Sequence, residues 1–103
     1  MEKVLADVLQ ECHEKKKTGA LYISVIAASE NLVRFYFKDG EIYHLTYGPV
    51  KDRECLDILD CYDFGRIIFF TGLKAPDAAA LDLPPTPAII ASLRTKAKKV
   101  QVE

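Results

Sequence analysis

Residues 32–47 have the sequence LVRFYFKDGEIYHLTY. Two segments rich in apolar and aromatic residues flank the dipeptide Asp39-Gly40. A two-residue type I′ turn needs positive φ at both central positions, and Asp-Gly is among the pairs that adopt it most readily. The stretch therefore predicts an antiparallel hairpin between strands at residues 32–38 and 41–47.

The turn also predicts which residues face each other across the hairpin, because a two-residue loop fixes the register of its strands. The expected pairs are Lys38 with Glu41, Phe37 with Ile42, Tyr36 with Tyr43 and Phe35 with His44. One face of the sheet would then carry Val33, Phe35, Phe37, Ile42 and His44. The opposite face would carry Arg34, Tyr36, Tyr43, Leu45 and Tyr47. Since neither face is polar, we expect both faces to be covered.

Elements before and after the hairpin follow from periodicity and capping residues. Apolar residues at helical spacing predict a helix from residue 4 that ends before Gly19, and alternation predicts a strand at residues 20–26. Asp52 is expected to cap a further helix that reaches about Tyr62.

The last third of the chain completes the predicted sheet. The run at residues 66–71 is apolar on both faces and predicts a buried central strand. Thr86 and Pro87 predict the start of the last helix, with the Thr86 hydroxyl as its cap and Pro87 at its first position. The predicted fold class is α+β, a mainly antiparallel four-stranded sheet with helices packed on it in the order α-β-β-β-α-β-α.

Size and composition predict a single domain. The chain has 103 residues, of which 50% are hydrophobic, and this is enough for one core. We assign residues 1–103 to one domain, with a core at 3–72, a connector at 73–85 and a C-terminal helix at 86–101.

Charge and hydropathy argue against several classes of function. The formal net charge is −1, whereas a surface built for nucleic acid usually carries a strong basic excess. No apolar run reaches the roughly 18 residues that a membrane span needs, and the first residues lack the apolar stretch of a signal peptide. We therefore expect a cytoplasmic protein that binds neither nucleic acid nor a membrane.

The residues that carry reactive groups do not form a recognisable catalytic or metal-binding pattern. The spacing of Cys12, Cys55 and Cys61 fits neither a disulfide framework nor a zinc site. No base adjoins Cys55 or Cys61 in sequence to activate a thiol, and His13 follows Cys12 on a helix, where adjacent side chains point about 100° apart. We expect a protein that is not an enzyme and that holds no cofactor or metal.

Two sets of residues are candidates for binding. Tyrosine is enriched in protein interfaces, so we predict an interface formed by Tyr36, Tyr43, Tyr47 and Leu45. Either the last helix covers this face or a second subunit does so in a homodimer. The alternative function is small-molecule sensing, in a pocket between sheet and helix near His44 and Phe35.

Several motifs, in order along the chain, resemble a known family. They are Lys17-Thr18-Gly19-Ala20-Leu21 before the first strand, residues 33–44 of the hairpin, Tyr47-Gly48, Glu54-Cys55-Leu56 on the second helix, and Gly65 before the next strand. Over about residues 4–71 the chain is similar to the PatA-type N-terminal domain, a bacterial domain of undefined molecular activity that often sits beside response-regulator receiver modules.

The resemblance has departures and functional implications. The family commonly has glycine at the position of Asp52 and alanine at the positions of Cys55 and Leu45. The resemblance implies a protein–protein interaction or scaffolding module in bacterial signal transduction, with an unknown protein partner. It supplies no catalytic residues.

Overall fold

A computed structural model of the chain describes residues 1–26, 30–75 and 83–102. The elements are β1 (Glu2–Val4), α1 (Leu5–Glu14), β2 (Gly19–Val25), β3 (Leu32–Lys38), β4 (Glu41–Tyr47), β5 (Val50–Lys51), α2 (Asp52–Ile58), a 3-10 turn (Leu59–Cys61), β6 (Phe64–Thr71), α3 (Thr86–Thr95) and β7 (Lys99–Gln101). Part of the predicted connector, residues 76–82, lies outside the described residues.

The strands form one sheet in the order β1-β7-β6-β2-β3-β4-β5. Neighbouring strands are antiparallel except for β6 and β7, which are parallel. The α+β class is confirmed, but the sheet has seven strands rather than the four predicted, and the element order differs accordingly. The additional strands β1, β5 and β7 are two or three residues long, which is too short to carry a periodic signal in the sequence.

The C-terminal helix is shorter than predicted. It ends at Thr95, Ala97 has a φ of 52°, and the chain then continues as β7, which pairs with β1. Val100 of β7 is buried with 1% of its surface exposed. The prediction of a helix at 86–101 is therefore wrong for residues 96–101, because these residues lead into β7, which pairs with β1 at the edge of the sheet.

The core lies on one side of the sheet, where α1 packs against α3. Apolar side chains from all three helices join one cluster with side chains from alternate strand positions. The strand members of this cluster are Leu21, Ile23, Val25, Val33, Phe35, Phe37, Ile42, Leu45, Tyr47, Phe64 and Val100. We call this side of the sheet the helix-covered face.

A β-bulge in the hairpin changes the predicted register. Lys38 pairs with Glu41 and Phe37 with Ile42 as predicted, but the register then shifts and Tyr36 pairs with His44. The predicted pairs Tyr36–Tyr43 and Phe35–His44 are therefore wrong. Beyond a one-residue bulge, every side chain of the bulged strand changes face relative to the simple register.

The bulge places apolar residues in the core and polar ones outside it. Phe35 pairs with Leu45, which joins the helix-covered face and is 0% exposed, as is Phe35. His44 turns to the opposite face. Leucine rather than imidazole therefore fills this position of the core cluster, and the His44 ring is buried on the other face.

Thr86 links the last helix to the hairpin rather than capping the helix. The residue before the helix is Pro85, no side chain caps the first turn, and Thr86 is itself the first helical residue. The buried Thr86 hydroxyl accepts a hydrogen bond of 2.9 Å from the backbone N–H of Ile42, two residues past the hairpin turn. The predicted cap is wrong because this hydroxyl instead satisfies a strand donor.

Candidate functional site

The second face of the sheet carries alternate residues of its central strands. In the register of β2, Tyr22 lies between Arg34 of β3 and Ile68 of β6, and Ala20 lies between Tyr36 and Phe70. We call the surface formed by Tyr22, Arg34, Tyr36, Ile68 and Phe70 the open face. It faces away from the three helices because these positions alternate with those of the core cluster.

Two large apolar side chains of the open face are exposed. Ile68 is 54% exposed and Phe70 is 43% exposed. The prediction of a buried strand at residues 66–71 is therefore wrong for this side of β6, although β6 does lie inside the sheet between β7 and β2. Full burial of a side chain of this size contributes about 1.5–3 kcal/mol of favourable free energy. Because each of the two side chains is about half exposed, a binding partner that covered it would gain roughly half of that free energy.

The side chains around Ile68 and Phe70 are held in place by ring contacts. The rings of Tyr22 and Phe70 meet edge to face, with centroids 4.9 Å apart. The Arg34 guanidinium lies over the Tyr22 ring at 4.9 Å. A groove of about 260 Å³ runs along these rings and is also lined by Leu32. The open face thus presents a preformed aromatic and aliphatic surface with a cation beside it.

Tyr36 belongs to the open face but is only 3% exposed. Its ring lies beside the rings of Tyr43, at 6.4 Å, and His44, at 5.6 Å. Burial first, and then hydrogen bonding with Tyr22, raise the pKa of the Tyr36 hydroxyl. This phenol is therefore a neutral, well-packed group that supports Tyr22 from the side.

His44 and Asp52 form a close contact at the edge of the open face. His44 is buried, and its Nδ1 lies 2.9 Å from Oδ1 of Asp52. The two atoms are not aligned as a hydrogen bond, so Nδ1 has no hydrogen-bond partner among the described residues. The same carboxylate oxygen accepts the backbone N–H of Leu45 at 3.1 Å.

Asp52 does not cap the second helix as predicted. The helix has no side-chain cap, and the Asp52 carboxylate turns back to β4 instead of toward the helix amides. Its backbone has a φ of 51°, a left-handed conformation that favours glycine. An aspartate held in this conformation costs about 1–2 kcal/mol, and its contacts with His44 and Leu45 offset part of that strain.

The predicted interface residues do not share one surface. Leu45 and Tyr47 lie in the core cluster, and the Tyr47 ring packs on Tyr62 with centroids 5.0 Å apart. Tyr43 is half-buried, and its hydroxyl accepts the backbone N–H of Ala75 at 3.2 Å. The bulge separates Leu45 and Tyr47 from Tyr36, whereas the rings of Tyr36 and Tyr43 stay beside each other, so the predicted common face of all four residues is wrong.

The bulge turns His44 and Phe35 to opposite faces of the sheet, so these two side chains do not line one pocket together as predicted. The sequence analysis also missed Tyr22, Ile68 and Phe70 as surface residues. A signal for them was present, since the β6 run is apolar at both odd and even positions. We interpreted that pattern as burial on both sides rather than as one covered and one open face.

The surroundings of Cys12, Cys55 and Asp60 are those of residues with a structural role. Cys12 and Cys55 are buried, and desolvation raises the pKa of both thiols, that of Cys55 to about 12 with a smaller contribution from Asp52. Asp60 pairs with Lys96 at 3.2 Å. Within the ranges that the structure describes, histidines, cysteines and carboxylates form no group of three or more that could hold a metal ion.

Comparisons of the chain with family models, with curated proteins and with solved structures found no match. Among the described residues, none of the helices is both long enough and apolar enough to cross a membrane.

Proposed function

We propose that the protein is a non-enzymatic interaction module that binds a protein partner through the open face. The observation that carries this proposal is the exposure of Ile68 and Phe70 on a sheet whose other face is covered by helices. Contiguous apolar patches bordered by polar groups mark interaction sites on soluble proteins. The edge-to-face contact of Tyr22 with Phe70 adds a rigid aromatic anchor of the kind that concentrates binding energy.

The partner that we propose is a second copy of the same chain. Strands β6, β2, β3 and β4 give the open face dimensions of about 19 by 23 Å, from about 4.8 Å between strands and 3.3 Å per residue. Two sheets pack face to face about 10 Å apart when their facing side chains are apolar, and a second copy supplies an identical apolar surface.

The size of the face suits a modest dimer interface. The chain has an accessible surface of 5884 Å², and a specific interface takes about a tenth of a small protein's surface from each partner. A face of about 19 by 23 Å supplies roughly 440 Å² per copy, so two copies would bury about 900 Å² in total, below the range for stable specific complexes and typical of weak, transient ones. We expect a dimer that dissociates on dilution rather than an obligate one.

The biological setting that we propose rests on the resemblance over residues 4–71. PatA-type N-terminal domains often accompany receiver modules, which supports a place in bacterial signal transduction in the cytoplasm. The open face lies on elements that carry this resemblance, since Tyr22 follows the Lys17–Leu21 motif and Arg34 lies in the hairpin motif.

Solution mass tests the proposal directly. We would measure light scattering and sedimentation over a dilution series of the native chain and of the double variant Ile68→Thr/Phe70→Thr. Threonine keeps strand propensity but removes most of the apolar area. The conservative double variant Ile68→Val/Phe70→Tyr is the matched control, because it retains that area.

The expected result is a native dimer, a dimeric conservative variant and a folded monomeric threonine variant. A native chain that stays monomeric at all concentrations, or a threonine variant that dimerises as tightly as the native chain, would show that the open face is not a self-association surface.

A further inference from the structure

A second cavity lies on the helix-covered side of the sheet, between α1 and β6. Its volume is about 290 Å³. Val8 and Cys12 line it from α1, Leu21 from β2 and Phe69 from β6. We call it the α1–β6 cleft. Its lining is apolar where it meets the core cluster, to which Val8, Cys12 and Leu21 belong.

Two lysines line the same cleft. Lys3, from β1, and Lys17, from the segment that leads into β2, are both half-buried. The Lys17 ammonium lies 5.1 Å from the centroid of the Phe69 ring. Over the described part of the chain, neither lysine forms a salt bridge with a carboxylate. Each ammonium group carries three N–H donors, so both lysines can bind an anion in the cleft.

Among the described residues that line the cleft, the one carboxylate is already paired. Glu11 lies 3.1 Å from Lys15, four residues along the same helix. The hydrogen bond and charge of Lys15 lower the pKa of the Glu11 carboxyl, and the charges of Lys3 and Lys17 lower it further. The balance of charge at the cleft is therefore positive, with three lysines near a single glutamate.

We propose that the α1–β6 cleft binds a small molecule that has an apolar body and a single carboxylate. The body occupies the apolar lining between Val8 and Phe69, and the carboxylate lies between the ammonium groups of Lys3 and Lys17. A volume of about 290 Å³ holds roughly ten non-hydrogen atoms at about 30 Å³ each. That size corresponds to a medium-chain fatty acid or a small aromatic acid.

This site is separate from the proposed dimer interface. The cleft opens on the helix-covered side of the sheet, whereas the open face is on the other side. Ile68 borders both surfaces, but Phe70 lines the groove of the open face and not the cleft. Ligand binding therefore does not depend on dimerisation, and each proposal can fail while the other stands.

The test is an NMR titration of the ¹⁵N-labelled full chain with octanoate, kept below its micelle concentration. Three further titrations separate the features of the ligand: octan-1-ol has the apolar body without the charge, acetate has the charge without the body, and inorganic phosphate is a different anion. We expect octanoate to shift the amides of Val8, Cys12, Leu21 and Phe69 saturably. Octan-1-ol should bind at least tenfold more weakly, and acetate and phosphate should leave these amides unshifted at the same concentrations.

Variants connect the binding to the lysines. Lys3→Gln/Lys17→Gln should weaken octanoate binding at least tenfold, because the carboxylate loses both of its charged hydrogen-bond donors. Lys51→Gln is the matched control, since Lys51 is an exposed lysine of β5 at the far edge of the sheet. The Phe70→Thr variant, which leaves the lining of the cleft unchanged, should bind octanoate as the native chain does.

Three results would overturn the proposal. They are the absence of saturable shifts at the cleft amides with octanoate, equal affinity for octan-1-ol, and undiminished octanoate binding by a folded Lys3→Gln/Lys17→Gln variant. Saturable shifts at the same amides with phosphate alone would replace the carboxylate ligand with a phosphate ligand.

Discussion

The hydrogen bond between Thr86 and Ile42 gives the sharpest test of how the last helix docks. Thr86 is 2% exposed, and its hydroxyl accepts the Ile42 N–H at 2.9 Å. Thr86→Val keeps the shape of the side chain but leaves a buried backbone donor without a partner, which costs about 1–3 kcal/mol. For a domain of about 100 residues, each 1 kcal/mol lowers Tm by about 4–8 °C, so the middle of that range, about 2 kcal/mol, predicts a fall of about 8–16 °C.

The assay combines urea unfolding with amide hydrogen exchange. Thr86→Ser is the control, because serine keeps the acceptor and removes one methyl group, a change of about 0.8 kcal/mol. In the valine variant the free energy of unfolding should fall by about 2 kcal/mol, and the Ile42 amide should exchange faster than its strand neighbours. A valine variant as stable as the native chain, with unchanged exchange at Ile42, would refute the docking of α3 on this strand.

Three further predictions test the core, the thiols and the surface charges. Leu45→Ala should lower the free energy of unfolding by about 2–5 kcal/mol in urea titrations, and Leu56→Ala, at a half-buried position, should lower it by less. One of the three thiols, that of the exposed Cys61, should react with a disulfide reagent in the native state, and a count of two or three would contradict the burial of the others. The hydrogen bond from Lys96, and then its charge, lower the pKa of the Asp60 carboxyl. The small stabilisation of the fold by this pair should therefore be complete above the ordinary carboxyl pKa of about 3.8 and be lost as pH falls below it. Lys96→Ala should remove that acid-dependent part of stability in unfolding measured from pH 7 to pH 2.5, and an unchanged pH profile would contradict it.

The sequence predicted the hairpin but not its bulge, for a physical reason. The Asp39-Gly40 turn sets only the first two pairs, and these are the pairs observed. Beyond them, Ile42 and Leu45 are both apolar, but they are separated by an odd number of positions, so their side chains would point to opposite faces of a regular strand. A regular strand cannot place both on one face, whereas one extra residue at position 43 does so. The sequence shows that Ile42 and Leu45 cannot both face the core in a regular strand. Only the packing of the helices shows that a bulge brings both of them to the core.

The open face could not be located from the pattern of β6 alone. A run such as Ile67-Ile68-Phe69-Phe70 is equally consistent with burial on both sides and with one side left for a partner. The difference depends on where the helices pack, which is a property of the whole chain. The short strands β1 and β7 were missed because their pairing is between residues about 98 positions apart, such as Lys3 and Val100.

The most direct test of the central claim is an isotope-filtered NOE experiment on a mixture of labelled and unlabelled chains. It detects only contacts between two copies. We predict cross-peaks that join the Ile68 methyl groups of one copy to the Phe70 or Tyr22 ring of the other. A dimer whose intermolecular cross-peaks arise from the helices, or a sample with none at any concentration, would contradict the assignment of the open face as the interaction surface.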